Sequence, residues 1–230
     1  MIYCISDIHG YPFPQVRLLL RQAGFCKTDF LYVLGDVIDR GPDGVRLLRW
    51  MLRQENVKLI LGNHEEMLLQ CAFLFEGAGD ASTDTPERTA ALEAWKQNGA
   101  QPTIAGMKAL PADERDRVLA YLRAAPLYDS VRAGGRDFLL THSGLRHFYR
   151  WRRMADYSAD DLLWNRPDAD TRYFEDLTVV FGHTPTLRYG EAYAGRILKT
   201  PTWINIDAGI GFGYAPALLR LDDLRAFYLE

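Results

Sequence analysis

Residues 57–66 read VKLILGNHEE, and the fold can be worked out from this stretch. An apolar run of the kind expected for a buried strand ends at Gly62, and Asn63, His64 and two glutamates follow it directly. Strands usually leave a protein core through turn residues such as Gly, Pro, Asp or Ser. An amide, an imidazole and two carboxylates at a strand end instead indicate a site that uses polar side chains.

The same pattern occurs five more times along the chain. Short runs rich in Val, Ile, Leu and Phe, which are typical of buried strands, each precede a polar residue able to bind metal or transfer a proton. The runs are IYCIS, FLYVLG, DFLLT, LTVVFG and TWINI, and the residues that follow them are Asp7 and His9; Asp36, Asp39 and Arg40; His142; His183; and Asp207. Helix-like stretches separate several of these runs, so the chain predicts a mixed α/β fold with its ligands at the strand ends.

One domain is expected over residues 1–230, a length sufficient for a large core, and no repeat or low-complexity tract interrupts it. Between the third and fourth strand-like runs lie two helix-like stretches, ERTAALEAWKQNG and PADERDRVLAYLRAAP. This region carries no polar residue at a strand end. We therefore predict a helical insertion at about residues 76–126, beside the site.

Composition narrows the functional classes. The formal charge of −3 gives no electrostatic reason to expect a nucleic-acid partner, because phosphate-backbone binding needs clustered positive charge. The three cysteines have no CxxC spacing, which argues against a disulfide framework and a thiolate zinc site. No apolar stretch reaches the roughly 20 residues of a membrane helix, and a strand-like start leaves no room for a signal peptide. We expect a cytoplasmic protein without a membrane partner.

The histidines carry the strongest chemical signal. Four of the five follow strand-like runs, and only His147 lacks the pattern. A lone buried histidine is usually a hydrogen-bonded core residue, but several such groups with aspartates beside them would cost several kcal/mol each if nothing compensated them. Carboxylate, imidazole and amide ligands without thiolate suit Mn, Fe or Zn. There are more ligands than one ion requires, which indicates two ions about 3.5–4 Å apart with one bridging carboxylate.

The motifs resemble a known family. SDIHG, GDVIDRG, GNHEE, THSG and FGHTP stand in the order of the metallophosphoesterase superfamily, from Asp7 to about Asp207. The DRG and GNHE forms are similar to its phosphoprotein phosphatase (PPP) branch, specifically the short bacterial and phage-type serine/threonine phosphatases. The resemblance implies a calcineurin-like αββα sandwich, in which two mixed sheets are flanked by helices.

The resemblance also implies a role for each motif residue. The implied ligands are Asp7 and His9 for the first metal, Asp36 as the bridge, and Asn63, His142 and His183 for the second metal. His64 would be the general acid that protonates the departing alkoxide, and Asp39 would orient its imidazole and favour its protonated form. Arg40, and Arg166 in a phage-type WNR block, would bind the phosphate oxygens.

Three further acidic residues receive structural interpretations. Asp207, in a DAG sequence where the family usually has DTG, is interpreted as a turn residue or hydrogen-bond acceptor and not as a ligand. Glu65 and Glu66 stand where a helix begins, and carboxylates in a first turn favour its positive end. We therefore predict supporting roles for all three.

The predicted activity is hydrolysis of a phosphomonoester, most simply as a serine/threonine protein phosphatase. A hydroxide bridging two divalent metal ions would attack in line, with manganese as the first choice of metal and iron or zinc as alternatives. The substrate would be a phosphorylated protein or a small phosphomonoester. No GxSxG motif occurs and Cys4 lies inside a strand-like run, so no serine or cysteine nucleophile competes.

Two alternatives stay open. A symmetrical dinucleoside tetraphosphatase shares the metal motifs, but that branch usually lacks the aspartate of DRG because a phosphate leaving group needs less acid assistance. Asp39 therefore favours the phosphatase. The other alternative is a catalytically silent metal-binding or scaffolding module, which predicts loss of a ligand or of His64, and none is missing.

Overall fold

Two five-stranded mixed sheets form the centre of the structure, a computed structural model that describes residues 1–76 and 85–229. The first sheet contains β1 (Ile2–Ile5), β2 (Phe30–Leu34), β3 (Val57–Ile60), β9 (Leu218–Arg220) and β10 (Arg225–Phe227), in the order β10-β9-β1-β2-β3. The second contains β4 (Tyr128–Ala133), β5 (Arg136–Thr141), β6 (Thr178–Phe181), β7 (Leu198–Lys199) and β8 (Trp203–Asn205), in the order β4-β5-β6-β8-β7.

Each sheet has a parallel core and antiparallel edges. β1, β2 and β3 run parallel, as do β5, β6 and β8, whereas β9, β10, β4 and β7 pair antiparallel. The carboxyl ends of parallel strands meet at one edge of a sheet, where α/β proteins collect their ligands. The six strand-like runs of the sequence are these six parallel strands, so their polar residues are brought to the same edges.

The helices of the described residues are α1 (Phe13–Gln22), α2 (Gly44–Met51), α3 (Asn63–Gln70), α4 (Pro86–Gln97), α5 (Gln101–Ala109), α6 (Ala112–Ala124) and α7 (Ala159–Leu163). None of them is long and apolar enough to cross a membrane. Helices α4, α5 and α6 fall within the region predicted as an insertion, of which residues 77–84 lie outside the described residues. The single-domain interpretation stays a prediction.

Alternating side chains on the strands create the layers. Leu31 and Val33 of β2 join a core cluster with the helices α1 to α6, whereas Tyr32 and Leu34 join a second cluster that lies between the two sheets. A third cluster packs the other face of the second sheet against residues that include Leu162 of α7. The order helix, sheet, sheet, helix confirms the predicted αββα sandwich. Each fully buried Val or Leu contributes about 1.5–3 kcal/mol relative to exposure, so the strand ends are held firmly.

Candidate metal centre and active site

One cavity gathers the predicted site residues. Seven of the ten line it directly: Asp7, His9, Asp36, Arg40, His64, Arg166 and His183. The remaining three, Asp39, Asn63 and His142, are buried behind them. Asp39 contacts His64, His142 contacts Asp36, and Asn63 contacts His142. Five different strands therefore deliver their polar residues to a single place, as parallel strand ends require.

The first group of candidate ligands is His9, Asp36 and His64, whose donor atoms lie within 4.8 Å of one another. His9 Nδ1 lies 3.1 Å from the carbonyl oxygen of Ile38, which can only accept, so the proton of the neutral ring is on Nδ1. The lone pair of its Nε2 then faces Asp36 Oδ2 at 3.7 Å. Two acceptors that face each other in this way fit a cation between them.

The second group is Asp36, His142 and His183. His142 Nδ1 donates to the carbonyl oxygen of Leu34 at 2.8 Å, and burial lowers the pKa of His142, so the ring is neutral and its Nε2 carries a lone pair. That atom lies 2.8 Å from Asn63 Oδ1 and 3.5 Å from Asp36 Oδ1. Lone pairs converging in a buried site are unfavourable unless a cation occupies it, so the residues fit a metal ion. Asp36 belongs to both groups, as a bridging carboxylate must.

Asp7 lies between the loops of the two sheets. Its Oδ2 accepts a hydrogen bond from the backbone N–H of His183 at 2.9 Å. A Cβ at Gly182 would clash with this carboxylate, which explains the glycine before His183 in the motif. Burial raises the pKa of Asp7, and burial together with the charges of Asp7 and Glu65 raises the pKa of Asp36 well above its ordinary value. Carboxyl groups crowded in this way are stabilised as anions by divalent cations.

The backbone of the site is strained. Eight non-glycine residues of the described chain have positive φ angles, and six of them are predicted site residues: Asp7 (48°), His9 (44°), Asp36 (54°), Asp39 (69°), Arg40 (66°) and His183 (62°). Left-handed backbone costs an ordinary residue about 1–2 kcal/mol. Such strain persists only where the surrounding structure enforces it, and it concentrates at functional sites. Sequence analysis could not detect it.

The pair predicted to act as general acid comes together in the cavity wall. His64 Nδ1 lies 2.6 Å from Asp39 Oδ2, and both residues are buried. The carboxylate accepts the Nδ1 proton, so Nε2 is directed towards Arg40, whose Nη2 is 3.3 Å away. Burial and the Arg40 guanidinium lower the pKa of His64 well below its ordinary value. Asp39 therefore orients the imidazole, but the expectation that the protonated form is favoured is not met in this structure.

Three arginines surround the cavity. Arg40 and Arg166 were predicted, and Arg166 Nη1 donates to the backbone carbonyl of His183 at 2.8 Å. Arg188 was not predicted, although it lines the same cavity. Arg166 and Arg188 also line a neighbouring cavity, and Phe212, which is 59% exposed, lies at the rim of the first. The positive lining thus extends beyond the position of the candidate metal ligands.

Comparison with known proteins places this geometry in a family. Residues 1–207 match the family described as calcineurin-like phosphoesterase. The chain belongs to this family. Its members use a dinuclear divalent metal centre, which agrees with two groups of candidate ligands that share Asp36. The metallophosphoesterase resemblance of the motifs is confirmed.

The curated relatives of this phosphoesterase carry a more specific name than the family does. It is 34% identical over 145 residues to the symmetrical bis(5'-nucleosyl)-tetraphosphatase of Acidovorax sp. (strain JS42), a match that covers 63% of this chain and 44% of the relative. It is 32% identical over 188 residues to the enzyme of the same name from Neisseria meningitidis serogroup A, covering 80% of this chain and 56% of the relative. The matches thus span about half the length of the curated relatives.

The fold of the phosphoesterase has close counterparts among solved structures. A crystal structure provisionally assigned as a diadenosine tetraphosphatase superposes with a TM-score of 0.66 at 20% identity. The superposition covers 98% of this chain and 90% of the other. At this identity the likeness establishes the shared fold.

Sequence analysis missed two residues of the phosphoesterase. They lie on the helices α4 and α5, and both contact Asp39 of the acid pair. Trp95 Nε1 donates to Asp39 Oδ2 at 2.8 Å, and Thr103 Oγ1 donates to Asp39 Oδ1 at 2.6 Å. Burial raises the pKa of Asp39 to about 6, and the hydrogen bonds from Thr103 and Trp95 oppose that rise. No motif surrounds either residue in the sequence, so no signal could have identified them.

Glu65 has a larger supporting role than a helix start. Its fully buried carboxylate accepts backbone N–H groups from Asp36 and Val37, both at 2.8 Å, and from Gly62 at 3.1 Å. It therefore joins the loop after β2 to the first turn of α3. Asp207 lines the cavity, and its Oδ1 accepts the N–H of Gly209 at 2.9 Å.

Proposed function

We propose that this phosphoesterase hydrolyses a phosphoanhydride bond of a dinucleoside polyphosphate. The observation that supports this proposal is a set of three arginines around the cavity that residues of both groups of candidate ligands line; the arginines are Arg40, Arg166 and Arg188. The names of the curated relatives point to the same substrate class.

The positions of the arginines match a chain of phosphates better than a single phosphoryl group. Arg40 and Arg166 are sufficient to bind the oxygens of one phosphate, since a guanidinium forms two parallel hydrogen bonds. Arg188 extends the positive lining into the neighbouring cavity, where a second or third phosphate would lie. Phe212 offers an exposed aromatic face at the rim, and stacking of a base on such a ring contributes about 1–3 kcal/mol.

The proposed ligands of the metal centre are those that the motifs implied. They are Asp7 and His9 for one ion, Asp36 shared by both, and Asn63, His142 and His183 for the other. Two divalent cations bound there would activate water and stabilise charge on the phosphoryl oxygens. Manganese is the proposed metal, with iron or zinc as alternatives, because the donors are oxygen and imidazole nitrogen.

The protein's own groups would do the rest of the chemistry. Arg40, Arg166 and Arg188 would hold the phosphates in line for attack, and electrostatic stabilisation of this kind dominates phosphoryl transfer. His64 would place a proton on the leaving oxygen, and Asp39 would hold its ring in the required orientation.

Phosphomonoester hydrolysis, including that of phosphoserine and phosphothreonine proteins, is the second candidate. The observation in its favour is the 2.6 Å pair of His64 and Asp39. An alkoxide leaving group needs a proton, whereas a phosphate leaving group departs readily without one. The sequence-based preference for a protein phosphatase rests on this pair, while the curated relatives favour the anhydride reaction.

A substrate panel separates the two candidates. The protein is assayed with Mn²⁺ against diadenosine tetraphosphate, p-nitrophenyl phosphate, and peptides carrying phosphoserine, phosphothreonine or phosphotyrosine, with a chelator as the negative control. We expect the highest kcat/KM for diadenosine tetraphosphate, with ADP as the product. Faster hydrolysis of a phosphopeptide would reverse the order of the candidates. Absence of hydrolysis with Mn²⁺, iron and zinc would reject both.

Replacement of the third arginine tests the supporting observation directly. Arg188→Ala should lower kcat/KM for diadenosine tetraphosphate about tenfold, since a charge-assisted hydrogen bond contributes about 1.5–3 kcal/mol. Its effect on p-nitrophenyl phosphate should stay within about twofold, since one phosphate needs only two arginines. Arg132→Ala is the matched control, because that arginine is 70% exposed and pairs with Asp137. Equal losses on both substrates would contradict the proposal.

We also propose a reducing, cytoplasmic location. The three cysteines are free, with Cys4 and Cys71 buried and Cys26 exposed. Subcellular fractionation of the native host tests this proposal, and recovery from an oxidising compartment would contradict it.

A further inference from the structure

The Asp39 carboxylate is surrounded by donors from two separate parts of the fold. His64 Nδ1 and Trp95 Nε1 both meet its Oδ2, at 2.6 and 2.8 Å, and Thr103 Oγ1 meets its Oδ1 at 2.6 Å. His64 lies in the first turn of α3, directly after β3. Trp95 lies on α4 and Thr103 on α5, within the helical region at residues 76–126.

The helices hold the backbone of this loop as well. Thr103 Oγ1 accepts the N–H of Asp39 at 2.9 Å, and the carbonyl oxygen of Gly99, between the two helices, accepts the N–H of Arg40 at 2.9 Å. Asp39 and Arg40 both have positive φ angles, so these bonds hold a strained turn in place. The α4–α5 segment therefore fixes both the carboxylate and the backbone that carries it.

The hydrogen bonds that Trp95 and Thr103 donate to Asp39 are buried, so water cannot take their place. Asp39 and Trp95 are fully buried and Thr103 is 2% exposed, so no solvent can replace a lost donor. A buried carboxylate without its partners is strongly destabilised and moves or takes up a proton. In either case it would no longer hold the N–H of His64 in the observed direction.

We propose that Trp95 and Thr103 are positioning residues for the general acid, acting on His64 through Asp39. The proposal rests on the proposed hydrolytic function. In the complex with substrate, His64 Nε2 would first take up a proton from solvent while Nδ1–H keeps its bond to Asp39. As the bond from phosphorus to the leaving oxygen breaks, its electron pair stays on that oxygen, which takes this Nε2 proton. Water supplies the hydroxyl group that joins phosphorus, and its remaining proton returns to the imidazole through solvent. The helices α4 and α5 would thus set the rate for poor leaving groups.

The kinetic test compares leaving groups. Thr103→Val and Trp95→Phe remove one donor each, the first at nearly constant side-chain volume and the second with a smaller aromatic ring. Thr103→Ser keeps the hydroxyl, and Trp50→Phe on α2 is the control for the same loss of volume. With phosphoserine, a poor leaving group, we expect the first two variants to lower kcat about tenfold with KM within twofold, a fraction of the full effect of an acid. The loss on p-nitrophenyl phosphate should stay below about threefold, since its leaving group needs little acid assistance. Thr103→Ser and Trp50→Phe should resemble the wild type.

A second readout needs neither metal nor turnover. The proton on His64 Nδ1, held in a short bond to Asp39, should give a downfield proton NMR signal that His64→Asn removes. Thr103→Val and Trp95→Phe should shift or broaden this signal, while Thr103→Ser and Trp50→Phe leave it unchanged. Circular dichroism confirms that each variant is folded.

The two readouts separate failure of this inference from failure of the proposed function. If the wild type hydrolyses none of the phosphate substrates, the proposed function is wrong, and the NMR signal alone decides whether Trp95 and Thr103 position His64. If the signal is unchanged in both variants, or if both leaving groups lose rate equally, the inference is overturned.

Discussion

The cavity has two sides with opposite electrostatics: the metal side, which carries the candidate metal ligands, and the acid side, which carries the pair of His64 and Asp39. On the metal side, the Nε2 lone pairs of His9 and His142 face Asp36, and Asn63 Oδ1 faces the same Nε2 of His142, without a proton between them. On the acid side, one buried carboxylate, that of Asp39, is surrounded by donors. The first arrangement is stable with cations, whereas the second is complete within the protein. This difference teaches that the metal side depends on an added partner and the acid side on the packing of neighbouring helices.

Removal of the shared carboxylate should have the largest effect and abolish the metal side. Asp36→Asn keeps the acceptor for the backbone N–H of His64 but loses the charge that both ligand groups share. A two-metal site contributes several kcal/mol for each function it performs, so turnover should fall at least about 10⁴-fold. Bound metal, measured by atomic absorption, should fall with it.

A matched variant excludes a general effect of lost charge. Asp137→Asn removes a carboxylate on β5 that pairs with exposed Arg132, and it should leave turnover and metal content unchanged. Retention of both metal ions by Asp36→Asn would contradict the assignment of Asp36 as the bridge.

Loss of the acid should affect the other side alone. His64→Asn should slow hydrolysis of phosphoserine about 10²–10³-fold, the usual contribution of proton transfer, while metal content stays normal. The loss with diadenosine tetraphosphate should be smaller, because phosphate is a better leaving group. The assay is turnover of both substrates together with atomic absorption.

His64→Asn also tests whether the metal side and the acid side are separate. His64 Nε2 lies 3.8 Å from Asp36 Oδ2, within the first group of candidate ligands. A loss of one metal ion from His64→Asn would move His64 to the metal side, and unchanged rates would reject its acid role.

The smallest expected effect is that of Glu65, which joins the loop after β2 to the first turn of α3. Glu65→Gln should lower the free energy of unfolding by about 1–3 kcal/mol, because an amide cannot accept all the N–H groups that the buried carboxylate accepts. Urea unfolding measures this change. Glu66→Gln is the matched control, since Glu66 is half-buried and its carboxylate accepts a long hydrogen bond from Trp164, at 3.4 Å. Equal stability of the two variants would show that Glu65 does not hold the loop.

Much of the metal side could be predicted from the sequence. Each of its residues directly follows a strand-like run, and parallel strands bring such positions to one edge. The DRG and GNHE motifs also led to Asp39 and His64. The branch of the family could not be inferred in the same way, because the aspartate of DRG suggested a phosphomonoesterase whereas the curated relatives are named as tetraphosphatases.

The other residues of the site could not be predicted from sequence patterns. Trp95 and Thr103 occur in ordinary helical sequence, far from Asp39 along the chain, and Arg188 lies in the short 3-10 helix Thr186–Tyr189, without a motif. The left-handed backbone of the ligand loops leaves no mark on residue identity, since aspartate and histidine occur widely elsewhere.

From the sequence by itself we could predict the six parallel strands, donors suited to two metal ions, and seven of the residues that line the cavity, because hydrophobic periodicity and ligand chemistry are local properties. Tertiary structure alone decided which helices enclose Asp39, how Glu65 holds the loop after β2, and where a third arginine meets the cavity. These contacts join residues far apart in the chain, and only packing of the two sheets and their helices brings such residues together.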